Sequence, residues 1–287
     1  MKEYALYTGC TTPVRLPSYE ASVKAVLEKL GIRIVDMNDT NCCGAQYVES
    51  TNHKAFLAMS GRILAIGEKM GFDILTICGA CSGSLKTVKH ELDQNEDLRK
   101  EVNDLLKDEG LEYTGNVVVK HLLQVFNEDI GYDSIKSAIA HPYNGVRLAA
   151  HYGCHVTRPY DVVKVDDPQN PTIIDRIIEL AGGTAVDYNG KTRCCGGPML
   201  AMDEKVATQI GLDKIHNVRT AQADGIITAC VFCDIQLTTV QFDESVKPSS
   251  RIPVLTLPQF LGKAIGIDED ALGIEFNKIS PSEIMEA

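Results

Sequence analysis

Asp73-Ile-Leu-Thr-Ile-Cys78-Gly-Ala-Cys81 returns later in the chain as Gly225-Ile-Ile-Thr-Ala-Cys230-Val-Phe-Cys233. Each copy is a short apolar run that delivers a Cys-x-x-Cys pair, and the two lie 152 residues apart. The same offset carries Cys42-Cys43 onto Cys194-Cys195, and an offset of 144 carries Cys10 onto Cys154. Those ten cysteines are all the chain contains. A shared offset across four cysteines marks an internal duplication, so any chemistry these thiols perform is performed at two sites.

Working outward, residues 4–8 read as a buried strand ahead of Gly9-Cys10. Residues 18–30 read as a helix, with Val23, Val26, Leu27 and Leu30 on one face. Residues 32–37 alternate as a strand and lead into Cys42-Cys43-Gly44. A helix over 53–69 presents Phe56, Met59, Ile63 and Ile66, and Gly71 stops it. Residues 73–77 form the strand before Cys78. The polar stretch 82–112 is expected to hold one or two surface helices with a solvated face. A strand at 117–119 and a helix at 121–130 complete the first copy. Residues 139–145 lack periodicity and mark the boundary.

The second copy repeats the order. A strand at 147–151 precedes Gly153-Cys154, and a Pro-rich loop spans 158–171. The next helix carries Ile173, Ile174, Ile177, Ile178 and Ala181. A strand at 184–188, Cys194-Cys195-Gly196, a helix at 202–222 and a strand at 225–229 follow. Leu257-Pro-Gln-Phe-Leu261 aligns with Leu122-Leu-Gln-Val-Phe126. The fold class expected is α/β: two duplicated Rossmann-like βαβ domains with largely parallel sheets, related by pseudo-two-fold symmetry. Residues 1–138 form the first domain and 146–266 the second, leaving 267–287 as a tail or docking segment. In such sheets ligands bind at the carboxyl ends of the strands. Every cysteine of each set follows a predicted strand, so each set should converge at that edge.

At 287 residues the chain has room for two cores. A net charge of −11 repels phosphate backbones and argues against nucleic-acid binding. Residues 1–7 lack the apolar stretch of a secretory signal. No apolar run approaches the roughly 20 residues of a membrane span. A cytoplasmic protein is expected. Disulfides are rare in a reducing compartment, which leaves metal ligation or redox chemistry for the thiols.

A structural zinc takes four ligands, and cubane iron–sulfur clusters take four cysteines. Five thiols per set leave one over in either case. A less regular iron–sulfur centre accommodates five, and zinc at one site stays open as the alternative. Gly44 and Gly196 permit tight turning and close backbone approach at the cofactor. No Cys-x2-Cys-x2-Cys-x3-Cys-Pro run and no Gly-x-Gly-x-x-Gly is present, so electrons must come from another polypeptide.

The pattern Cys-x31-Cys-Cys-x34-Cys-x2-Cys, then Cys-x39-Cys-Cys-x34-Cys-x2-Cys, resembles the tandem cysteine-rich CCG domain. A two-copy chain of this length is similar to the B subunit of CoB–CoM heterodisulfide reductase, an oxidoreductase of methanogenesis. The resemblance implies a noncubane 4Fe-4S cluster on Cys10, Cys42, Cys43, Cys78 and Cys81. It implies a second on Cys154, Cys194, Cys195, Cys230 and Cys233. The first-to-second spacing differs by eight residues between copies, so the pockets need not be identical. The implied reaction is two-electron reduction of CoM-S-S-CoB to two thiols. The implied partners are two further subunits of the reductase, one holding cubane iron–sulfur clusters and one holding a flavin. A hydrogenase or formate dehydrogenase would feed the larger complex. Electron-transfer subunits of thiol–fumarate, lactate or glycolate oxidoreductases carry the same domain. A zinc-stabilised scaffold subunit is a further alternative.

The heterodisulfide carries a sulfonate, a phosphate and a carboxylate, so its pocket needs cations. His151, His155, Arg158, Lys191 and Arg193 cluster in sequence around second-copy cysteines. Arginine pairs with oxyanions bidentately. His155, beside Cys154, is placed to protonate a leaving thiolate.

Overall fold

A computed structural model describes residues 2–287. Eight strands form two four-stranded sheets. β1 (Lys2–Tyr7), β2 (Ile32–Asp36), β3 (Asp73–Thr76) and β4 (Val119–His121) lie in the order β2-β1-β3-β4. β5 (Arg147–His151), β6 (Thr184–Val186), β7 (Gly225–Thr228) and β8 (Val254–Thr256) repeat it as β6-β5-β7-β8. All pairings are parallel. The registers correspond between halves: Tyr7 pairs with Thr76, and His151 with Thr228.

Parallel strands demand crossovers, and the amphipathic helices supply them. Pro17–Lys29 buries Val23, Val26 and Leu27, and His53–Met70 buries Phe56 and Ile63. Ile173–Leu180 buries Ile173, Ile174, Ile177 and Ile178. Strand order reverses between β1 and β3, and between β5 and β7. A crevice opens at such a switch point outside the strands' carboxyl ends. There β1, β2 and β3 release Cys10, Cys42-Cys43 and Cys78.

Three expectations need correction. The stretch 82–112 holds two helices and is solvated over most of 93–110, but its first turns are not. The helix Gly79–Gln94 buries Ser82, Gly83, Ser84 and Lys86 because it lies in the seam between halves. Lys86 Nζ donates across that seam to the Val163 carbonyl at 2.6 Å. The fourth strand starts at Val119, not Val117, because Glu68 accepts from the amides of Thr114, Gly115, Asn116 and Val117 and holds them off the sheet. The helix after it is an α-turn, Leu122–Gln124, that widens into a π-helix over Val125–Ile130.

Residues 267–287 dock instead of trailing. Leu272, Ile274, Ile284 and Met285 are buried, each worth about 1.5–3 kcal/mol if fully withdrawn from water. Leu272 packs on Gly262, and Gly273 sits against Ser18 of the first half. The segment thus straps the second half onto the first.

Candidate metal centres

Each half gathers its five cysteines at the switch point. In the first, Cys10 Sγ lies 3.5 Å from Cys42 Sγ, and Cys43 Sγ lies 3.6 Å from Cys81 Sγ. In the second, Cys154 Sγ is 3.9 Å from Cys194 Sγ, while Cys195 and Cys233 share a cluster with His151 whose ligand atoms all lie within 4.8 Å. All ten are free thiols. These separations are too long for disulfides, which need about 2.05 Å. They match the roughly 3.8 Å between two thiolates on one metal with 2.3 Å bonds.

Local sequence explains the convergence. Cys78 and Cys230 are the N-caps of Gly79–Gln94 and Val231–Thr239, and Cys81 and Cys233 fall in the first turns. Helix N-termini favour thiolate. Gly44 (φ +85) and Gly196 (φ +91) turn in the left-handed region and donate their N–H to Cys42 Sγ at 3.4 Å and Cys194 Sγ at 3.3 Å. Sequence reasoning missed Gly9 and Gly153. A Cβ there would stand 2.9 Å from Cys81 Sγ and 3.2 Å from Cys233 Sγ.

Crowding decides what the sets can hold. Cys43, Cys78, Cys81, Cys195, Cys230 and Cys233 are buried. Hydrogen bonds from Cys42 and Cys81 hold the Cys43 thiol well below its ordinary range. Those from Cys154 and Cys195 do the same for Cys194. Their neighbours move the other way. Cys81, beside the Cys43 and Cys78 thiols and buried, is raised well above, and Cys195 is pushed up to about 12, chiefly by Cys194. Five crowded sulfurs therefore cannot all ionise unaided. A cationic group among them removes that repulsion, so the donor set fits an iron–sulfur centre. His151 supports the fit in the second half: it is fully buried with neither ring nitrogen hydrogen-bonded.

The two sets meet. Cys78 Sγ and Cys230 Sγ are 4.0 Å apart, at positions related by the duplication. Gln46 and Pro198, also 152 apart, line one small cavity with Cys154, Cys195, Cys230 and Cys233. Tyr47 donates to the Pro198 carbonyl at 2.9 Å. An open cleft of about 550 Å³ adjoins this place, lined by Gln46, Glu49, Gly83, Ser84 and Thr87 of the first half and Cys154, His155, Arg158 and Pro159 of the second. A larger cleft, about 990 Å³, lies around His141, Lys263 and Ala287 and contains no cysteine, so size alone does not locate the chemistry.

The cations anticipated as substrate contacts divide. His155 and Arg158 line the cleft, with His155 Nδ1 3.3 Å from Cys154 Sγ and the Arg158 guanidinium donating to the Thr192 carbonyl. Arg193 is exposed in a separate notch beside Cys194. Lys191 is not a cleft residue: it pairs with Asp175 at 2.7 Å and lies 5.5 Å from the Tyr152 ring centre. His151 is not one either, being buried against Cys195 and Cys233. Lys214 escaped the sequence reading. It is buried, donates to the Gly190 carbonyl at 2.5 Å, and burial pushes it down to about 8. The signal existed, because Lys214 stands 152 residues after Arg62, which likewise reaches back to the Asp39 carbonyl at 2.7 Å.

Comparison with known proteins agrees. The cysteine-rich domain CCG matches residues 4–86 and again 148–238. Over 290 residues, 99% of this chain and 96% of the relative, the chain is 34% identical to a protein of Methanosarcina acetivorans. That relative is named as the B subunit of a ferredoxin/F(420)H(2)-dependent CoB-CoM heterodisulfide reductase. The chain is 29% identical, over 99% of both chains, to the 8-methylmenaquinol:fumarate reductase membrane anchor subunit of Wolinella succinogenes. Among the described residues no helix is long and apolar enough to cross a membrane. A crystal structure of a hypothetical protein from Helicobacter pylori shares the fold, with TM-score 0.77 and 17% identity over 96% of this chain and 51% of that one. The chain belongs to the CCG cysteine-rich domain family, carries the domain twice, and is an iron–sulfur oxidoreductase component of the heterodisulfide reductase B type.

Proposed function

We propose that this chain is the disulfide-reducing subunit of a CoB–CoM heterodisulfide reductase. The reaction is CoM-S-S-CoB plus two electrons and two protons giving two thiols: the S–S bond breaks, each sulfur gains an electron, and each is protonated. The observation that carries this reading is the 4.0 Å approach of Cys78 and Cys230, which sets the two cysteine groups side by side next to a cleft walled by both halves. Two noncubane 4Fe-4S clusters, when bound to the ten cysteines, supply one-electron exchange on either side of the disulfide.

The chain's own residues do the rest. The seam residue Gly79 lies so close to Val156 that the halves pack there with no room for a side chain between them. Arg158 meets an oxyanion of the substrate at the cleft mouth, and Ser84, Thr87 and Gln46 offer neutral hydrogen-bond donors deeper in. His155 is within reach of the Cys154 sulfur and supplies a proton to a departing thiolate. Electrons arrive from a partner polypeptide with cubane iron–sulfur clusters. A flavin-containing partner feeds it in turn, with a hydrogenase or formate dehydrogenase upstream.

A second reading has its own support. The Wolinella relative, matched over nearly its whole length, is named for fumarate reduction. On that reading the chain passes electrons within another oxidoreductase. One anaerobic experiment separates the readings. The chain, copurified with its partner subunits, is supplied with a reduced viologen and CoM-S-S-CoB, and free thiols are counted against viologen oxidised. Two thiols per two electrons, with about eight irons and eight sulfides per chain, support the reductase. Iron and sulfide without thiol formation favour the electron-transfer reading, and zinc without sulfide overturns both.

A further inference from the structure

His151 ends β5 three residues ahead of Cys154, and Tyr7 ends β1 three residues ahead of Cys10. The sheet registers equate them, since each pairs with the last threonine of the neighbouring strand, Thr228 or Thr76. Equivalent places in the two halves therefore carry an imidazole and a phenol. The phenol is spent on the protein: Tyr7 donates to the Asn41 carbonyl at 2.9 Å. The imidazole is not. His151 is fully buried, both ring nitrogens lack a hydrogen-bond partner, and a ring nitrogen lies within 4.8 Å of both Cys195 Sγ and Cys233 Sγ.

A buried neutral imidazole has one N–H that needs an acceptor. Two sulfurs, those of Cys195 and Cys233, stand close to this one. The set also has five thiolates, one more than an ordinary cluster uses, so no ligand position calls for a nitrogen. We propose that His151 donates a hydrogen bond to the sulfur shell of the second centre, makes the two centres inequivalent, and renders the second the more readily reduced. The inference rests on the iron–sulfur reading above.

The direction follows from electrostatics. A donor aimed at sulfur stabilises the electron-richer state and raises the potential. Cations beside the two sets act in the same sense. Arg62 near the first set is paired with Glu109 at 2.7 Å and Asp39 at 3.4 Å, which offset its charge. Lys214, its counterpart, bonds a neutral carbonyl and pairs with no carboxylate among the described residues.

The test is a redox titration of the anaerobically purified complex, followed by electron paramagnetic resonance. The wild-type chain shows two reduction steps. His151→Leu moves the higher step to lower potential, leaves the lower step in place and keeps the iron content. His151→Gln, which retains an N–H donor, recovers part of the shift, and Tyr7→Phe moves neither. Two unmoved steps in a fully iron-loaded His151→Leu chain overturn the proposal. Should that variant lose its iron, a His155→Gln chain carrying 15N-histidine decides, because His155 Nδ1, 3.3 Å from Cys154 Sγ, would otherwise add a coupling of its own. A weak nitrogen coupling at one centre supports a hydrogen bond through sulfur. No coupling, or one as large as a bonded nitrogen gives, overturns it. Failure of the underlying reading looks different: the wild-type chain would carry no iron and give no signal to titrate.

Discussion

Cys78 and Cys230 stand 152 residues apart in the chain and 4.0 Å apart at their sulfurs. They polarise each other. Cys230 is held well below the ordinary thiol range by hydrogen bonds from Cys233 and Cys78, while Cys78 is raised well above it, chiefly by Cys230. A thiolate facing a thiol needs only a small movement to become a disulfide. Chelation of the bound metal followed by a mild oxidant is therefore expected to join the two halves. Peptide mapping should find the Cys78–Cys230 link in the stripped protein and not in the loaded one. If the only links found lie within one half, the two cysteine sets do not meet at this seam.

Gly196 and Gly44 occupy equivalent turns but tolerate a methyl differently. A Cβ on Gly196 would lie 2.4 Å from the Ala207 carbonyl oxygen, a backbone atom that cannot step aside. On Gly44 the nearest atom is the Val48 Cβ at 3.1 Å. Both pay the left-handed penalty of about 1–2 kcal/mol, and Gly196→Ala adds a clash of similar size or more. Gly196→Ala should lose roughly half the iron, from the second centre, and Gly44→Ala less. Iron assay with electron paramagnetic resonance checks this, and equal losses in the two variants would contradict it.

The duplicated cysteine spacing carried most of this architecture on its face. Strands ending in cysteines bring every thiol to one sheet edge, and that much is legible from residue order alone. What escaped was set by tertiary neighbours. The helix Gly79–Gln94 carries Ser82, Gly83, Ser84 and Lys86 on a face that composition marks as wet, but the other half covers it. β8 is three residues long and shows no alternation to read. Lys191 and His151 looked like substrate cations because they neighbour cysteines in sequence. Asp175 claims the first, and burial beneath the sulfurs claims the second.

Arg158 is the exposed cation at the mouth of the shared cleft. Its contact is a neutral carbonyl, that of Thr192, so its charge is free to meet an anionic substrate. Arg158→Gln is expected to raise KM for CoM-S-S-CoB about ten-fold, with kcat changed far less. Arg193→Gln, in the separate notch, should leave KM within about two-fold. Steady-state kinetics with a reduced viologen measure both. The reverse pattern would move the substrate from the cleft to the notch.

The strap over 267–287 is anchored on the second half through Leu272 and touches the first through Gly273, which sits against Ser18. The Leu272 side chain is fully buried against Gly262, and its carbonyl accepts from Gln259 Nε2 at 3.3 Å. Leu272→Ala should cost about 2–5 kcal/mol, because the cavity opens between packed backbones that cannot close in. Phe276, nearby but two-thirds exposed, should cost under about 0.5 kcal/mol when truncated. Urea midpoints of the two variants compare them directly. A cheap Leu272→Ala would mean that the segment adheres without contributing to the fold.

Stability toward acid is expected to depend on His121. It ends β4 fully buried, with Nδ1 accepting from the Leu123 amide at 3.2 Å, and burial followed by the nearby Lys86 charge pushes it down to about 4 from its ordinary 6.5. The folded chain keeps this ring neutral where the unfolded chain protonates it. The stability it contributes is present above pH 6.5 and is lost as pH falls through about 4. The displacement from 6.5 to about 4 corresponds to about 3 kcal/mol. His121→Asn keeps a side-chain acceptor for the helix cap and removes the titration. Its urea midpoint, measured from pH 7 to pH 4, should fall less steeply than that of the unaltered chain. Parallel curves would show that the ring stays neutral for no energetic consequence, and that acid lability arises at other groups, such as the equally buried His151.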